Sequence, residues 1–322
     1  MSVHEHDRPP LAVVPAAALL ALRRWAAERP QQLALRHRRQ GAWQAWRWSD
    51  VVAQVERGAA GLRAQGFAEG SRLAVCGAFE PSLLIVVLAA HSLGGQVRPI
   101  SRHSRGDALR EQLLQAQAGY AYVQRREEVS QWRQASPQLP APLRLYCPDA
   151  SAAIDGDWHV LPLATLFGAA DNAPGTLAWR HAHADPAVWV EQGTEWPEGL
   201  SHLLQRWLDR GEGFAFPETS ESASRDRRDI RPAALLLSSE RVQALADEIE
   251  ARLAPLGSWR RRLCDWTLRN PRHGLRRWLH QRVRGLLGFS RLTEIDSPAP
   301  SRLPLRATAP ASWLHPVVER AA

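Results

Sequence analysis

Three side chains that can bind a metal alternate along one short segment. His181, His183 and Asp185 occupy positions i, i+2 and i+4, which face one side of a strand, and imidazole and carboxylate groups are zinc ligands. A loop that carries a histidine pair is the commoner origin of this spacing, and we favour that interpretation. Two histidines and an aspartate also lie within residues 4–7, and we interpret that cluster as a frayed amino terminus.

Nucleophilic catalysis has no support in the sequence. There is no G-x-S-x-G elbow, and the three cysteines, Cys76, Cys147 and Cys264, are scattered, without the context of a Cys–His pair. Unpaired thiols of this kind favour a reducing compartment and argue against a zinc site. The amino terminus lacks the charged-then-apolar order of a signal peptide, and the longest uncharged apolar run, residues 81–90, is far shorter than the roughly 20 residues that span a bilayer. We therefore expect a cytoplasmic protein.

All basic residues other than histidine are arginine: the 322 residues include 41 Arg and no Lys. We interpret this bias chiefly as a preference for GC-rich codons. It has a chemical consequence, because a guanidinium is a flat, forked donor, whereas a lysine ammonium is compact and reaches a single phosphate or carboxylate oxygen. The chain therefore has no lysine for any reaction that requires one.

The positive charge is concentrated in one segment. Residues 252–291 contain eleven Arg and a single acid, a formal charge of +10, whereas the rest of the chain carries −2. Tryptophans are interleaved with these arginines, and a basic amphipathic helix with Trp on its apolar side suits the surface of an anionic membrane. Arginine stems that cover a packed helix pair are the simpler alternative, and we favour it. We expect no nucleic-acid partner, because neither an aromatic-basic sheet nor a recognition helix is indicated. The candidate membrane-contact residues are Trp259, Arg260, Arg261, Arg262, Trp266, Arg276, Arg277 and Trp278.

Helices and short apolar strands alternate between residues 48 and 123. Apolar residues from Val51 to Leu62 recur on one face of a helix, which Ser49 is expected to cap and Gly66 to end. Pro81 and Asp107 start two further predicted helices. The predicted strands are 72–76, 96–100 and 120–123. This alternation predicts a parallel α/β sheet with right-handed crossovers, joined to a further sheet strand at 233–237.

The remaining segments give weaker patterns. Prolines break the pattern between residues 136 and 148, and the stretch from 211 to 231 indicates a loop-rich, solvated charged face. The other expectations are a loop at 149–157, a strand at 158–161, a helix at 240–253, two helices within 258–289 that are divided near Pro271 and Gly274, and a poorly ordered Pro-rich tail from residue 298.

Several motifs resemble the acyl-adenylate-forming, or AMP-binding, enzymes. In order along the chain they are AGLRAQG at 60–66, EGSRLAV at 69–75, LAAHSLGG at 88–95 and RPI at 98–100. The pieces DIRP at 229–232, ERV at 240–242 and IEARL at 249–253 are similar to long-chain acyl-CoA synthetases in particular. The resemblance implies the first half of that family's large ATP-binding domain. It divides the chain into an extension at 1–25, an incomplete AMP-binding-like domain at 26–291 and a tail at 292–322.

The resemblance also implies a phosphate-binding loop, and this loop departs from the family pattern. Family members use a sequence close to TSGTTGxPKG, in which glycine amides, hydroxyls and a lysine hold the ATP phosphates. The matching stretch here is EQGTEWPEG at 191–199, which keeps Gly193, Thr194 and Gly199 as remnants of a cofactor site. Glu198 stands where the lysine belongs, and Glu191 and Glu195 add two more carboxylates. We expect this loop to repel a triphosphate.

The other parts implied by the family do not follow. The segment between residues 202 and 214 has no room for the family's LPLSHIFE-like stretch, and the later adenine, ribose and second-lysine motifs have no counterpart in the chain. The expectation is a catalytically impaired relative, without a catalytic residue or cofactor, that acts as an accessory protein in fatty-acid metabolism. Lipid-metabolism enzymes or an anionic surface at the inner side of the membrane are its expected partners. The alternative is half of a split fatty-acid:CoA ligase, completed by a second polypeptide and using ATP, Mg²⁺ and CoA.

Overall fold

The computed structural model describes residues 15–136, 142–168, 175–177, 185–252, 258–269 and 274–297. The helices are α1 (Pro15–Glu28), α2 (Trp48–Ala64), α3 (Pro81–Ser92), α4 (Gly106–Ala116), α5 (Arg126–Ala135), α6 (Gly199–Arg210), α7 (Ala223–Ile230), α8 (Ser239–Arg252), α9 (Trp259–Arg269) and α10 (Gly274–Leu287). The strands are β1 (Leu33–Arg39), β2 (Ala42–Arg47), β3 (Arg72–Cys76), β4 (Gln96–Pro99), β5 (Tyr120–Val123), β6 (Leu143–Cys147), β7 (Ala153–Asp155), β8 (Trp158–Pro162), β9 (Gly175–Leu177), β10 (Val188–Trp189), β11 (Phe214–Phe216), β12 (Ala234–Leu236) and β13 (Glu294–Asp296). The chain divides into two compact units.

The first unit, formed by residues 1–34, 46–174 and 192–211, contains a six-stranded sheet in the order β4-β3-β5-β6-β8-β7. All neighbouring pairs are parallel except the edge pair β7–β8. The chain reverses its direction of travel across this sheet between β3 and β5. In open α/β sheets the carboxyl ends of the strands at such a reversal are where ligands bind, so this edge is where a site is expected.

Helices α1, α2 and α3 of the first unit pack against one another. Helix α3 is apolar on all sides, and its residues from Leu83 to Ala90 are buried, which is typical of a helix enclosed by other elements. Trp48, at the start of α2, is fully buried and stacks on Trp207 of α6, with 5.1 Å between the ring centroids. The stacked, buried rings pack α2 against α6.

The second unit, residues 35–45, 175–191 and 212–322, contains a seven-stranded sheet in the order β13-β12-β10-β11-β1-β2-β9. The five strands from β13 to β1 are parallel, and β9 pairs antiparallel with β2. Its core includes Trp189 and Leu235 of the sheet, Leu245 and Ile249 of α8, and Phe289. Leu245 and Ile249, one turn apart on α8, therefore lie on the face of the helix that packs against this core.

The predicted α/β class, with largely parallel sheets flanked by helices, is confirmed. The helices and strands predicted between residues 48 and 123 are present and the strands are parallel. The strand at 158–161, the helix at 240–253 and the division of 258–289 into two helices are also confirmed. Among the described residues, no helix is both long enough and apolar enough to cross a membrane.

Three local predictions were wrong. Ser49 does not cap α2, because the helix begins at the buried Trp48 and the Asp50 carboxylate accepts the Arg47 backbone N–H at 2.8 Å. The segment 136–148 contains the buried strand β6, since its prolines flank the apolar stretch instead of interrupting it. The predicted loop at 149–157 includes the exposed edge strand β7.

Two larger expectations also require correction. The stretch 211–231 is not a solvated loop: it supplies the buried strand β11 and helix α7, where Asp226 is fully buried and accepts hydrogen bonds from Ser222 Oγ and the Glu218 backbone N–H. The strand predicted at 233–237 exists as β12 but lies in the second unit's sheet, not in the sheet of residues 72–123.

Ordered elements extend across both predicted domain boundaries. Helix α1 crosses the predicted boundary at residue 25, and its Leu22 and Trp25 are buried. The predicted tail from residue 292 begins with ordered residues, because Leu292 is buried and β13 pairs with β12. The Pro-rich composition on which that prediction rested starts only at Pro298, and the tail from there lies outside the described residues, as do residues 1–14.

We expect His37 to make the fold sensitive to mild acid. Burial in β1 lowers its pKa from about 6.5 to about 4, with a smaller contribution from Arg39, while a hydrogen bond to the Pro217 carbonyl and the charge of Asp226 oppose the shift. Below pH 6.5 the unfolded chain binds a proton that the folded chain excludes, so stability falls as the pH drops from 6.5 to 4. Over this window the free energy of unfolding should lose about 3 kcal/mol.

Urea denaturation across this pH range measures the effect. The His37→Gln variant should lose this part of the pH dependence, whereas His103→Gln, at an exposed position, should keep it. Equal pH profiles for the wild type and His37→Gln would contradict the assignment.

Candidate functional site

The glycine-containing loop at residues 191–199 follows the short buried strand β10. Its residues 192–199 belong to the first unit and Glu191 to the second. The loop ends where α6 begins, with Glu198 at the position that precedes the helix. A loop that follows a parallel strand and precedes a helix amino terminus is a common anion-binding site. Whether this loop can bind an anion depends on whether its N–H donors already have partners within the chain.

Gly193 lies against the turn that follows β3. It forms an isolated antiparallel bridge with Ala78, and a Cβ added at Gly193 would lie 2.3 Å from the Gly77 carbonyl oxygen. A side chain of any size is therefore excluded by backbone. The glycine that the sequence suggested for phosphate binding is required here by a close approach within the chain.

Thr194 joins the loop to the same turn after β3 through hydrogen bonds. Its backbone N–H donates to the Gly77 carbonyl at 2.9 Å, and the Gly77 N–H donates back to Thr194 Oγ1 at 3.2 Å. The Phe79 N–H also donates to the Gln192 carbonyl at 3.0 Å. Thr194 is buried, so its hydroxyl is a structural partner of the β3 turn in this arrangement.

Glu195 supplies a carboxylate to the donors of the loop. Its Oε1 accepts the Gly193 N–H at 2.9 Å and Arg102 Nη2 at 2.9 Å, and its Oε2 lies 2.6 Å from Arg102 Nε. Arg102 follows β4. A backbone amide and a forked guanidinium are also the donors that proteins use for phosphate, so the loop carries its own anion.

Gly199 and Glu198 complete the loop. A Cβ added at Gly199 would lie 2.5 Å from the indole of Trp196, and that indole stacks on His202 with 6.1 Å between the ring centroids. Glu198 is exposed, and its carbonyl accepts the His202 N–H at 3.1 Å. The position where the family has a lysine therefore holds an exposed carboxylate, and it supplies no positive charge to the loop.

Glu191 is buried in the second unit between two arginines. Its Oε2 lies 3.2 Å from Arg227 Nη1, its Oε1 lies 2.6 Å from Arg241 Nη2, and the Trp189 indole N–H donates to it at 2.6 Å. Burial opposes ionisation of this carboxyl, but Arg227 and Arg241 outweigh it and hold its pKa below the ordinary value. Burial lowers the pKa of the Arg227 guanidinium. Glu191 is therefore ionised, and Arg227 and Arg241 compensate its charge within the chain.

The expected accumulation of negative charge in this loop needs correction. Glu191 and Glu195 each form ion pairs with arginine, so their charges are largely balanced within the chain. Glu198 is exposed and carries most of the remaining negative field. The sequence overestimated the repulsion because the arginine partners lie 36, 50 and 93 residues away along the chain.

The candidate membrane-contact residues do not form one group. Trp259, Trp278 and Arg262 are exposed and Trp266 is half-buried. The assignment of Arg261 was wrong: it is buried, with Nη1 2.6 Å from Glu250 and Nε 3.0 Å from Asp265. The side chains of Arg260, Arg276 and Arg277 lie outside the described residues.

Of the metal candidates, the structure describes Asp185. Asp185 lies 3.6 Å from the buried guanidinium of Arg36, while His181, His183 and residues 4–7 lie outside the described residues. Within the part of the chain that the structure describes, no group of three His, Cys, Asp or Glu side chains is placed to hold a metal ion.

Sequence reasoning missed the residues that shape this loop most. Arg102 follows a strand in an ordinary polar turn, and Arg227 lies in the stretch that we predicted to be solvated. The one available signal was the run of alternating Arg and Asp in α7, which is consistent with a buried charge network as well as with a solvated face. Only the fold distinguishes the two.

The amino-terminal half of the chain is similar to a known family. Residues 22–177 match the model of the AMP-binding enzyme family. No curated protein sequence matches the chain. Solved structures share its fold, at sequence identities too low to carry function. The adenylation domain of a carboxylate reductase from Mycobacterium chelonae has a TM-score of 0.60 at 14% identity, over 90% of this chain and 56% of that one.

The other two are ligases. A long-chain-fatty-acid-CoA ligase from Archaeoglobus fulgidus has a TM-score of 0.60 at 10% identity, over 91% of this chain and 66% of that one. Coronafacic acid ligase from Pectobacterium brasiliense has a TM-score of 0.57 at 11% identity, over 75% and 53%. The chain thus spans about half to two thirds of the length of these structures. Residues 22–177 thus match the AMP-binding enzyme family model, and the α/β fold of the chain is the one that these solved structures share.

Proposed function

We propose that the chain is a non-adenylating member of the AMP-binding family, which acts as an accessory protein in fatty-acid metabolism. The observation that carries the proposal is the Glu195 carboxylate, which binds the Gly193 amide and the Arg102 guanidinium. In this proposal the loop no longer binds ATP and instead joins the β3 turn to α6.

The backbone donors of the loop support this role. The Thr194 N–H donates to the Gly77 carbonyl, the Trp196 N–H to the Gly193 carbonyl and the Gly199 N–H to the Trp196 carbonyl. Together with the Gly193 amide, four N–H groups of residues 193–199 are bound within the chain. A phosphate would have to break these hydrogen bonds, each of which contributes about 1 kcal/mol.

The charges of the loop support it as well. A triphosphate next to Gly193 would have to displace the Glu195 carboxylate and approach Glu198. Each like-charge contact at about 4 Å costs about 1 kcal/mol or more, depending on burial. Arg102, the cation that the described contacts place next to Gly193, is already hydrogen-bonded and ion-paired to Glu195, and no lysine is available in the chain to replace it.

Adenylation activity is the direct test. The chain should bind ATP negligibly and should release no pyrophosphate from ATP with a panel of fatty acids above a denatured control. Glu198→Lys should not restore activity, because the Gly193 amide and Arg102 stay bound to Glu195. Fatty-acid-dependent pyrophosphate release by the wild-type chain would contradict the proposal.

Two alanine variants separate loss of charge from release of donors. Glu195→Ala frees the Gly193 amide and Arg102, so binding of inorganic pyrophosphate, followed by calorimetry, should tighten at least tenfold, since charge-assisted hydrogen bonds contribute about 1.5–3 kcal/mol each. Glu198→Ala removes an equal charge from an exposed position and frees no such donor, so it should have a clearly smaller effect. Equal effects of the two variants would show that the internal ion pair is not what blocks the site.

The structural role of Gly193 can be tested through stability. Gly193→Ala places its Cβ 2.3 Å from the Gly77 carbonyl oxygen, so the backbone must shift and the free energy of unfolding should fall by about 1–3 kcal/mol. Gly119→Ala is the matched control, because nothing lies within 4 Å of its added Cβ. Urea denaturation measures both, and equal stability of the two variants would contradict the close approach.

The buried cluster of Glu191 should dominate the stability of the second unit. Glu191→Gln leaves Arg227 buried without its carboxylate, and the free energy of unfolding should fall by about 3–5 kcal/mol at neutral pH. Because the folded pKa of Glu191 lies below its unfolded value, this contribution is present above about pH 4.3 and is lost as the pH falls further. The exposed control Glu198→Gln should change stability by less than about 0.5 kcal/mol, and a similar small effect at Glu191 would count against the cluster.

A further inference from the structure

Helices α9 and α10 expose large apolar side chains. Trp259 is 70% exposed, Leu275 64%, Trp278 55% and Leu286 67%, and Leu263 is also exposed. On α10, positions 275, 278, 282 and 286 follow the spacing i, i+3, i+7 and i+11, which is one face of a helix. We use the name α9–α10 face for the exposed residues of the two helices, Trp259, Arg262 and Leu263 of α9 and Leu275, Trp278, Arg282 and Leu286 of α10.

The opposite side of α10 packs against the core of the second unit. Leu287 is buried in the core of the second unit and Val283 packs against that core. His280 and Arg284 are also buried, and Arg284 Nη2 donates to the Leu292 carbonyl at 2.7 Å. The core therefore does not account for the apolar residues on the exposed side.

The charge on the exposed side is positive. Arg282 is exposed and lies over the Trp278 ring, 5.3 Å from its centroid, and Arg262 is exposed on α9. The one acid of residues 252–291, Asp265, accepts a hydrogen bond from the buried Arg261 at 3.0 Å. Asp265 shares the inward-facing Arg261 with Glu250, and the exposed Arg262 and Arg282 add positive charge to the surface.

We propose that the α9–α10 face docks on the surface of an anionic lipid bilayer. Trp278 and its stacked Arg282 lie at the headgroup level, while Leu275 and Leu286 enter the acyl boundary, as in amphipathic helices that lie in the plane of a membrane. The inference goes beyond the proposed function and does not depend on it, because the face and the 191–199 loop share no residue.

Charge favours lipid over the other possible occupants. The exposed Arg262 and Arg282 bring the same positive charge to each copy of this face, so two copies would repel each other, which disfavours self-association through it. A nucleic acid would pair with the arginines but would leave Leu275 and Leu286 without an apolar partner. An anionic bilayer offers negative headgroups next to an apolar interior, and only that combination matches Arg282 and the two leucines together.

Vesicle co-sedimentation of the full chain tests the proposal. The chain should bind vesicles of phosphatidylcholine with phosphatidylserine, should bind phosphatidylcholine alone much more weakly, and should be released at near-molar salt, where charges are screened within a few ångströms. Arg262→Gln and Arg282→Gln should each weaken binding roughly fivefold. Leu275→Ser with Leu286→Ser should weaken it at least tenfold, because both side chains lose their apolar contact with lipid.

Matched controls keep the result specific. Arg63→Gln and Arg110→Gln, made singly, each remove one charge from an exposed position of the first unit, as each arginine variant of the face does. Leu20→Ser with Ile154→Ser removes side chains that are 68% and 76% exposed there. Circular dichroism checks that each variant is folded. These controls should leave vesicle binding within about twofold of wild type, well below the effect of one face arginine.

Several outcomes would overturn the proposal. One is the absence of binding to anionic vesicles at low salt. Another is an equal loss of binding in the control and face variants, which would indicate attraction by net charge without a docking face. A third is a dimer in analytical ultracentrifugation that the Leu275→Ser/Leu286→Ser variant abolishes, which would assign the face to a second copy. Displacement from vesicles by a DNA or RNA oligonucleotide, with affinity for the oligonucleotide reduced by the leucine substitutions, would assign it to nucleic acid.

Discussion

A carboxylate buried at the end of β10 constrains the second unit. Glu191 is largely removed from solvent, and an ionised group in that position is tolerated only when cations and donors replace its water. Arg227 comes from α7 and Arg241 from α8, so the requirement fixes both helices relative to β10. Arg227 also lies over the Phe289 ring at 4.8 Å, which ties the residues after α10 to the same charge. Helices that share little direct contact are thereby positioned by one ion cluster.

Arginine is suited to this task in a way that lysine is not. Arg241 binds Glu191 and also lies 2.5 Å from Glu248 Oε1, and Arg102 meets both oxygens of Glu195. A forked, always-charged donor can bridge two carboxylates or bind one at two points, whereas an ammonium group would satisfy one oxygen at a time. The lysine-free composition therefore affects more than the missing catalytic positions, because the internal ion pairs of both units use the geometry that only arginine provides.

The sequence predicted the elements better than their partners. Periodicity and glycine or proline boundaries located β3, β5, α3 and α8, since these depend on neighbours within about a dozen residues. The family motifs indicated the α/β class and the glycine loop. They could not show that Glu195 pairs with Arg102 or that the Gly193 backbone lies close to Gly77, because both contacts join residues that are about a hundred positions apart. The prediction that α7 is solvated was wrong for the same reason. A run of Arg and Asp has the same sequence pattern when it faces water and when it pairs with buried charges.

The same limit applies to the basic segment, where one residue type has opposite roles. Arg261 and Arg284 are buried, with Arg261 bound to Glu250 and Asp265 and Arg284 to a backbone carbonyl, whereas Arg262 and Arg282 face solvent. Adjacent positions in a helix point about 100° apart, so a change of one residue in the sequence moves a guanidinium from an internal ion pair to the surface. Net charge alone therefore overstates the field that a partner meets. What acts at long range is the subset of arginines that no internal carboxylate compensates, and on α10 that subset includes Arg282, on the same face as Leu275, Trp278 and Leu286.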